Sequence, residues 1–172
     1  MRKMTHVLSF LLFVSTYSTD VKAQDFQLPN NIVLVAKEDY APYEKTVIAA
    51  ADWLQATPVK TGDEKRKEVS AFIVQWLSGS PTVNMDLGPA LMKLNEKNSF
   101  VLIMMMAGYS RYVLQNNYAT DKTKAYTAGM KAVLAVYANG GDIKKDKTLD
   151  KAATADKEGK LSEWINSNII GK

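Results

Sequence analysis

The 172-residue chain has no cysteine, one histidine and three arginines. The single histidine, His6, falls in a leader-like N-terminal stretch, so everything after it lacks both imidazole and thiol. Several chemistries drop out together. A Ser–His–Asp triad has no base, and a cysteine nucleophile does not exist. Zinc, copper and iron sites rest on imidazole and thiolate, so neither a metal nor another cofactor is expected. Without disulfides, the apolar core alone has to hold an exported fold together.

Long apolar runs are equally scarce. The longest runs from Phe100 to Ala107 and contains Met104, Met105 and Met106 in succession. Eight residues fall well short of the about 20 needed to cross a bilayer. Successive side chains on a helix point in different directions, so the three thioethers cannot converge on one ion. A helix that is apolar on all sides is a buried one. The stretch is expected to be the core of the domain.

The N-terminus has the three parts of a signal peptide. Arg2 and Lys3 are basic, "VLSFLLFV" is apolar, and "VKAQ" supplies small residues at Val21 and Ala23. Cleavage is expected between Ala23 and Gln24, with residues 1–23 as signal peptide and a periplasmic or secreted product. A lipoprotein would need a cysteine at the cut. Removing residues 1–23 takes Arg2, Lys3 and Lys22 from the 22 basic residues and Asp20 from the 18 acidic ones, so the net charge falls from +4 to +2. Lysines alternate with acids in "GDEKRKE" and "DIKKDKTLDK", as on a solvated face. No basic stripe interleaved with aromatics appears, which argues against a nucleic-acid partner.

Apolar spacing beyond the leader is helical almost throughout. Residues 24–38 are expected to form an extended arm, with "NIVLVA" (31–36) short enough for a strand but lacking a partner strand. Residues 39–172 then form the helical domain. Pro42 can open a first helix that carries Tyr43, Val47, Ala50 and Leu54 on one stripe and Trp53 on its flank, with Pro58 as its stop. Val69, Phe72, Ile73, Trp76 and Leu77 follow at the spacing of an amphipathic helix that Gly79 and Pro81 terminate. A third helix is predicted over Asp86–Glu96 with Leu87, Leu91 and Leu94 inward. Ser99 caps the fourth, central helix (about 99–117). The fifth runs from Asp121 to Ala138, with Thr120 as cap and Tyr126, Met130, Val133, Leu134 and Tyr137 inward. The last segment, interrupted near Gly159, presents Leu149 and Ala153, then Leu161, Trp164, Ile165 and Ile169. This pattern predicts an all-α, single-domain bundle of five to seven helices with a buried central helix, preceded by a short extended arm.

Two glycines stand inside helices, Gly108 and Gly129, where each costs about 1 kcal/mol relative to alanine. The break "NNYAT" is centred between them, so an antiparallel hairpin closing there brings them level. Close approach of the two backbones would offset the cost.

Other motifs dissolve on inspection. "WLQATP" (53–58) and "WLSGSP" (76–81) look duplicated, but no third copy exists, and two helices with similar ends explain them. "TADKEGKLSEWI" (154–165) has some spacing of a calcium loop but puts Thr154 and Ile165 where its key carboxylates belong. The acids Glu38 and Asp39, or Asp63 and Glu64, sit in lysine-rich surroundings without the burial that raises a general acid. The "SxxK" pattern of serine–lysine chemistry is missing.

Arg66 lies in what reads as an exposed charged turn. Arg111 follows the apolar run directly and is flanked by Tyr109 and Tyr112. It admits three readings: a helix-end arginine that snorkels, a buried ion pair, or an anion-binding residue in a cleft. Arg111 and Tyr112 are therefore the candidate ligand-binding residues. The expected function is a small exported binding module without catalysis, whose partner is a protein, a peptide or an envelope component. The alternatives are a carboxylate-dependent enzyme acting on glycans, and a periplasmic chaperone or inhibitor.

Overall fold

The computed structural model describes residues 26–171, so the expected signal peptide lies outside the described residues. Among these, seven α-helices follow one another with short connections: α1 (Glu44–Ala56), α2 (Glu64–Gly79), α3 (Pro89–Asn95), α4 (Phe100–Gln115), α5 (Lys122–Asn139), α6 (Lys147–Lys157) and α7 (Leu161–Ile165). A π-helical turn, Asn166–Ile170, extends α7. The protein is an all-α single-domain bundle.

Residues 31–36 form no strand. Ile32 and Leu34 pack on the core while Val33 and Val35 face outward, 54% and 87% exposed. Side chains of the following turns hold this stretch in place. Tyr43 accepts a hydrogen bond from the Val33 N–H, and Asp39 accepts from those of Val35 and Ala36. Phe26 leans on Trp53 with ring centroids 6.3 Å apart.

Helix α4 is the hub, packed against α1, α2, α3 and α5. Met104, Met105 and Met106 are all buried, as expected of a helix apolar on all sides. The flexible thioethers suit a helix that must fit several partners at once. Val69, Phe72, Ile73 and Trp76 on α2 are buried as their spacing predicts, and Leu77 is half-buried. The two tryptophans of the apparent repeat have unlike surroundings. Trp76 is fully buried and its Nε1 donates to the Tyr40 carbonyl, whereas Trp53 is half-buried beneath Phe26 and the Lys65 ammonium.

The α4–α5 hairpin closes through Asn117 and Tyr118, both left-handed at φ 51° and 57°. Its seam is tight. A Cβ placed on Gly108 would lie 2.9 Å from the Gly129 Cα, and one on Gly129 would lie 2.8 Å from the Met105 carbonyl oxygen. The two glycines therefore lie level and the backbones meet at them, as the sequence predicts.

Four details differ from expectation. Helix α3 begins at Pro89, not Asp86, because the residue before a proline is driven out of the helical region, and Gly88 is extended (φ −68°, ψ 164°). Leu87 consequently lies outside the helix and is 42% exposed. The cap of α5 is Asp121, whose carboxylate accepts from the Lys124 N–H, not Thr120. Ser99 occupies the cap position of α4 but makes no capping bond; Asn95 accepts from the Leu102 N–H instead. Arg66, finally, is buried at 8% exposure.

Candidate functional site

Arg66 is buried where an exposed turn was expected, and Arg111 forms an ion pair at the edge of the surface. Arg66, in the first turn of α2, reaches back to the C-terminal end of α1. Its Nη1 donates to the carbonyls of Leu54 (3.0 Å) and Thr57 (2.9 Å), and its Nη2 lies 3.8 Å from the Met104 sulfur. A cation at the carbonyl end of a helix meets the negative pole of the helix dipole. Burial nevertheless lowers the Arg66 pKa from its ordinary value, with the Asp63 carboxylate opposing that shift.

Arg111 is half-buried and joins α4 to α1. Its Nη1 donates to Asp52 at 2.5 Å and its Nη2 to Gln55 at 2.8 Å. The Asp52 side chain is 59% exposed against 20% for Arg111, so the pair straddles the surface. Tyr112 is half-buried at the edge of the core, and its backbone carbonyl accepts from Asn116. Any ligand of Arg111 and Tyr112 has to compete with Asp52 and Gln55 for the guanidinium.

Three of the four acids considered for catalysis, Asp39, Asp63 and Glu64, are engaged locally. Asp39 holds two backbone N–H groups, Asp63 caps α2, and Glu64 pairs with Lys67 at 2.8 Å. The hydrogen bonds from the Ala36 and Val35 backbones hold Asp39 below its usual value, the wrong direction for a general acid. Among the described residues no group of three or more metal-ligating side chains converges. Two phenols are shifted chiefly by burial. Tyr126 donates to the Asp86 carbonyl and Tyr109 to the Asn84 carbonyl (2.8 Å), their rings meeting edge to face at 5.1 Å. Burial raises both, Tyr126 to about 12. They anchor the segment before α3, a structural task.

The feature that stands apart lies at the far end of the bundle. Helices α3 and α6 and the C-terminal segment enclose a cleft of about 650 Å³. Its floor is apolar, made by Ala90, Leu94, Ile169 and the half-buried Trp164. Its charged lining is Lys93, Lys97, Lys147, Lys151, Glu96 and Asp146. Asp146 is buried and committed, its carboxylate accepting from the N–H groups of Thr148 and Leu149 as the cap of α6.

Ion pairs elsewhere engage Lys67, Arg111, Lys122, Lys124, Lys131 and Lys160. Among the described residues, none reaches the ammonium groups of Lys93, Lys97, Lys147 or Lys151. Two of the four are placed at a cost. Lys147 is the first residue of α6, where the positive pole of the helix repels a cation, and Lys151 follows it at the i,i+4 spacing that puts like charges side by side.

Sequence reasoning missed this cleft. "LMKLNEKN" and "DKTLDK" look like ordinary solvated faces, and only the packing of α3 on the C-terminal segment brings them together. A smaller cleft of about 500 Å³ opens beside Arg66, but its acids Asp63 and Asp142 are already bonded to the Arg66 and Thr61 N–H groups. Comparison with protein-family models, curated proteins and solved structures finds no match for this chain.

Proposed function

We infer that the protein is a small exported binding module without catalysis, and that its partner is anionic and docks at the lysine-lined cleft between α3 and α6. One observation carries this reading: four lysines with no ion-pair partner among the described residues line a cleft whose apolar lining includes a half-buried tryptophan. Lysine offers donors and no acceptor, so such a rim suits a ligand rich in acceptors. A pocket of several hundred Å³ with an apolar base and a few oriented charges has the make-up of a binding site. The carboxylate-enzyme alternative is less well supported, since Asp39, Asp63 and Glu64 are engaged in backbone bonds, a cap and a surface pair.

The test is binding of labelled polyglutamate, followed by fluorescence anisotropy at low and moderate salt. Binding that weakens with salt and disappears in Lys147→Glu/Lys151→Glu supports the reading. No binding, or binding indifferent to that variant, overturns it. Export is tested separately by the mass of the secreted product, which should begin at Gln24.

A further inference from the structure

We propose that the occupant of the α3–α6 cleft is an acidic peptide segment of another protein, inserting one large apolar side chain onto the floor between flanking carboxylates. This rests on the reading of the cleft as an anion-binding face and adds the chemical class of the partner.

Three features favour a peptide over an acidic glycan or a phosphate group. The first is the balance of donors and acceptors. Sugar hydroxyls both donate and accept, so a glycan site needs acceptors among its lining groups. Here the Asp146 carboxylate is taken by the cap of α6, so the lining sets one remaining acid against four lysines. Only Glu96 among the acids is left.

The second feature is the type of cation. Planar, bidentate recognition of phosphate favours arginine, whereas the cleft holds lysines alone. Lysines are mobile point charges that follow carboxylates on flexible side chains. On α6 the i,i+4 pair Lys147 and Lys151 has Cβ atoms about 6 Å apart. That matches carboxylates two residues apart on an extended peptide, which rises about 3.3 Å per residue.

The third feature is affinity. An exposed ion pair contributes a factor of roughly two to five. Four such pairs give a loose, salt-sensitive encounter. Burial of one leucine- or phenylalanine-sized side chain adds about a further tenfold to hundredfold. Ala90, Leu94, Trp164 and Ile169 supply the surface for it, with Trp164 as the natural contact for an apolar or aromatic anchor.

The experiment compares three probes on the intact exported protein: a short peptide of glutamates around one phenylalanine, a peptide of equal charge with alanine at that place, and polygalacturonate. The phenylalanine peptide should bind at least about tenfold more tightly than the alanine peptide, consistent with burial of one side chain. Lys147→Ala/Lys151→Ala should weaken it, with the melting temperature verifying the fold. Trp164→Leu should narrow the gap between the two peptides and leave the salt dependence in place.

Equal binding of the two peptides, or stronger binding of polygalacturonate, overturns the peptide inference and leaves the anionic-partner reading standing. Failure of all three probes overturns both.

Discussion

Gly108 rests against Gly129 so closely that a methyl group on either would run into the other helix's backbone. At Gly108 the obstacles are the Gly129 Cα at 2.9 Å and the Ala128 carbonyl oxygen at 3.0 Å, neither of which can swing aside like a side chain. Alanine would recover about 1 kcal/mol of helix propensity. Forcing the seam apart costs about 1–3 kcal/mol, so Gly108→Ala should destabilise by a net of up to about 2 kcal/mol. Denaturant unfolding measures it. A variant as stable as the parent would show that the seam has slack.

Removal of Arg66 should cost more stability than removal of Arg111. Arg66→Met leaves two carbonyls at the end of α1 without their donor, which costs about 1–3 kcal/mol when such groups are buried. Arg111→Met frees Asp52, but that carboxylate is largely in water and can be rehydrated, so the loss should be about 1 kcal/mol or less. Thermal melts of the two variants at equal salt make the comparison. A larger loss at Arg111 would contradict the geometry.

The difference between those two arginines also marks how far the sequence could be read. Helix faces were legible because their signal is local: Val69, Phe72, Ile73 and Trp76 recur every three or four residues, whatever packs against them. The glycine crossing was legible too, since a short loop sets the register of an antiparallel pair. Burial of Arg66 depends on where the carbonyls of Leu54 and Thr57 end up, and that is decided by how α1 meets α2. The lysine cleft is further out of reach. Lys93 and Lys151 belong to separate charged segments that line one cleft only after α3 has packed on the C-terminal segment. The start of α3 is a readable signal set against the helical spacing of Leu87: Pro89 disfavours the helical conformation at Gly88.

Stability should fall off steeply in alkali. Burial holds Tyr126 at about 12 and raises Tyr109, so the fold favours the neutral phenols over an ordinary value of 10.0. That contribution is complete below pH 10 and is lost as pH rises through about 12. Tyrosinate absorbance should therefore show a late titrating class that coincides with loss of helical circular dichroism. Tyr126→Phe should remove part of that alkaline sensitivity. On the acid side, Asp39, Asp121 and Asp142 are held below their usual value, chiefly by backbone hydrogen bonds. Their contribution is present above the ordinary 3.8 and disappears only as pH falls through their lowered values.

Asp146 separates the stability of α6 from the charge of the cleft it borders. Its carboxylate caps the helix, and its backbone N–H donates to the Tyr137 hydroxyl at 2.9 Å. Asparagine is an equivalent cap and alanine is not. Asp146→Asn should therefore keep the melting temperature, whereas Asp146→Ala should cost about 1 kcal/mol. The asparagine variant also removes one negative charge from beside Lys147 and Lys151. If the cleft takes an acidic peptide, that variant should bind the glutamate–phenylalanine probe a few-fold more tightly at low salt, with the gain fading as salt screens it. A stable Asp146→Asn protein whose affinity is unchanged at low salt would place the bound carboxylates away from the α6 wall.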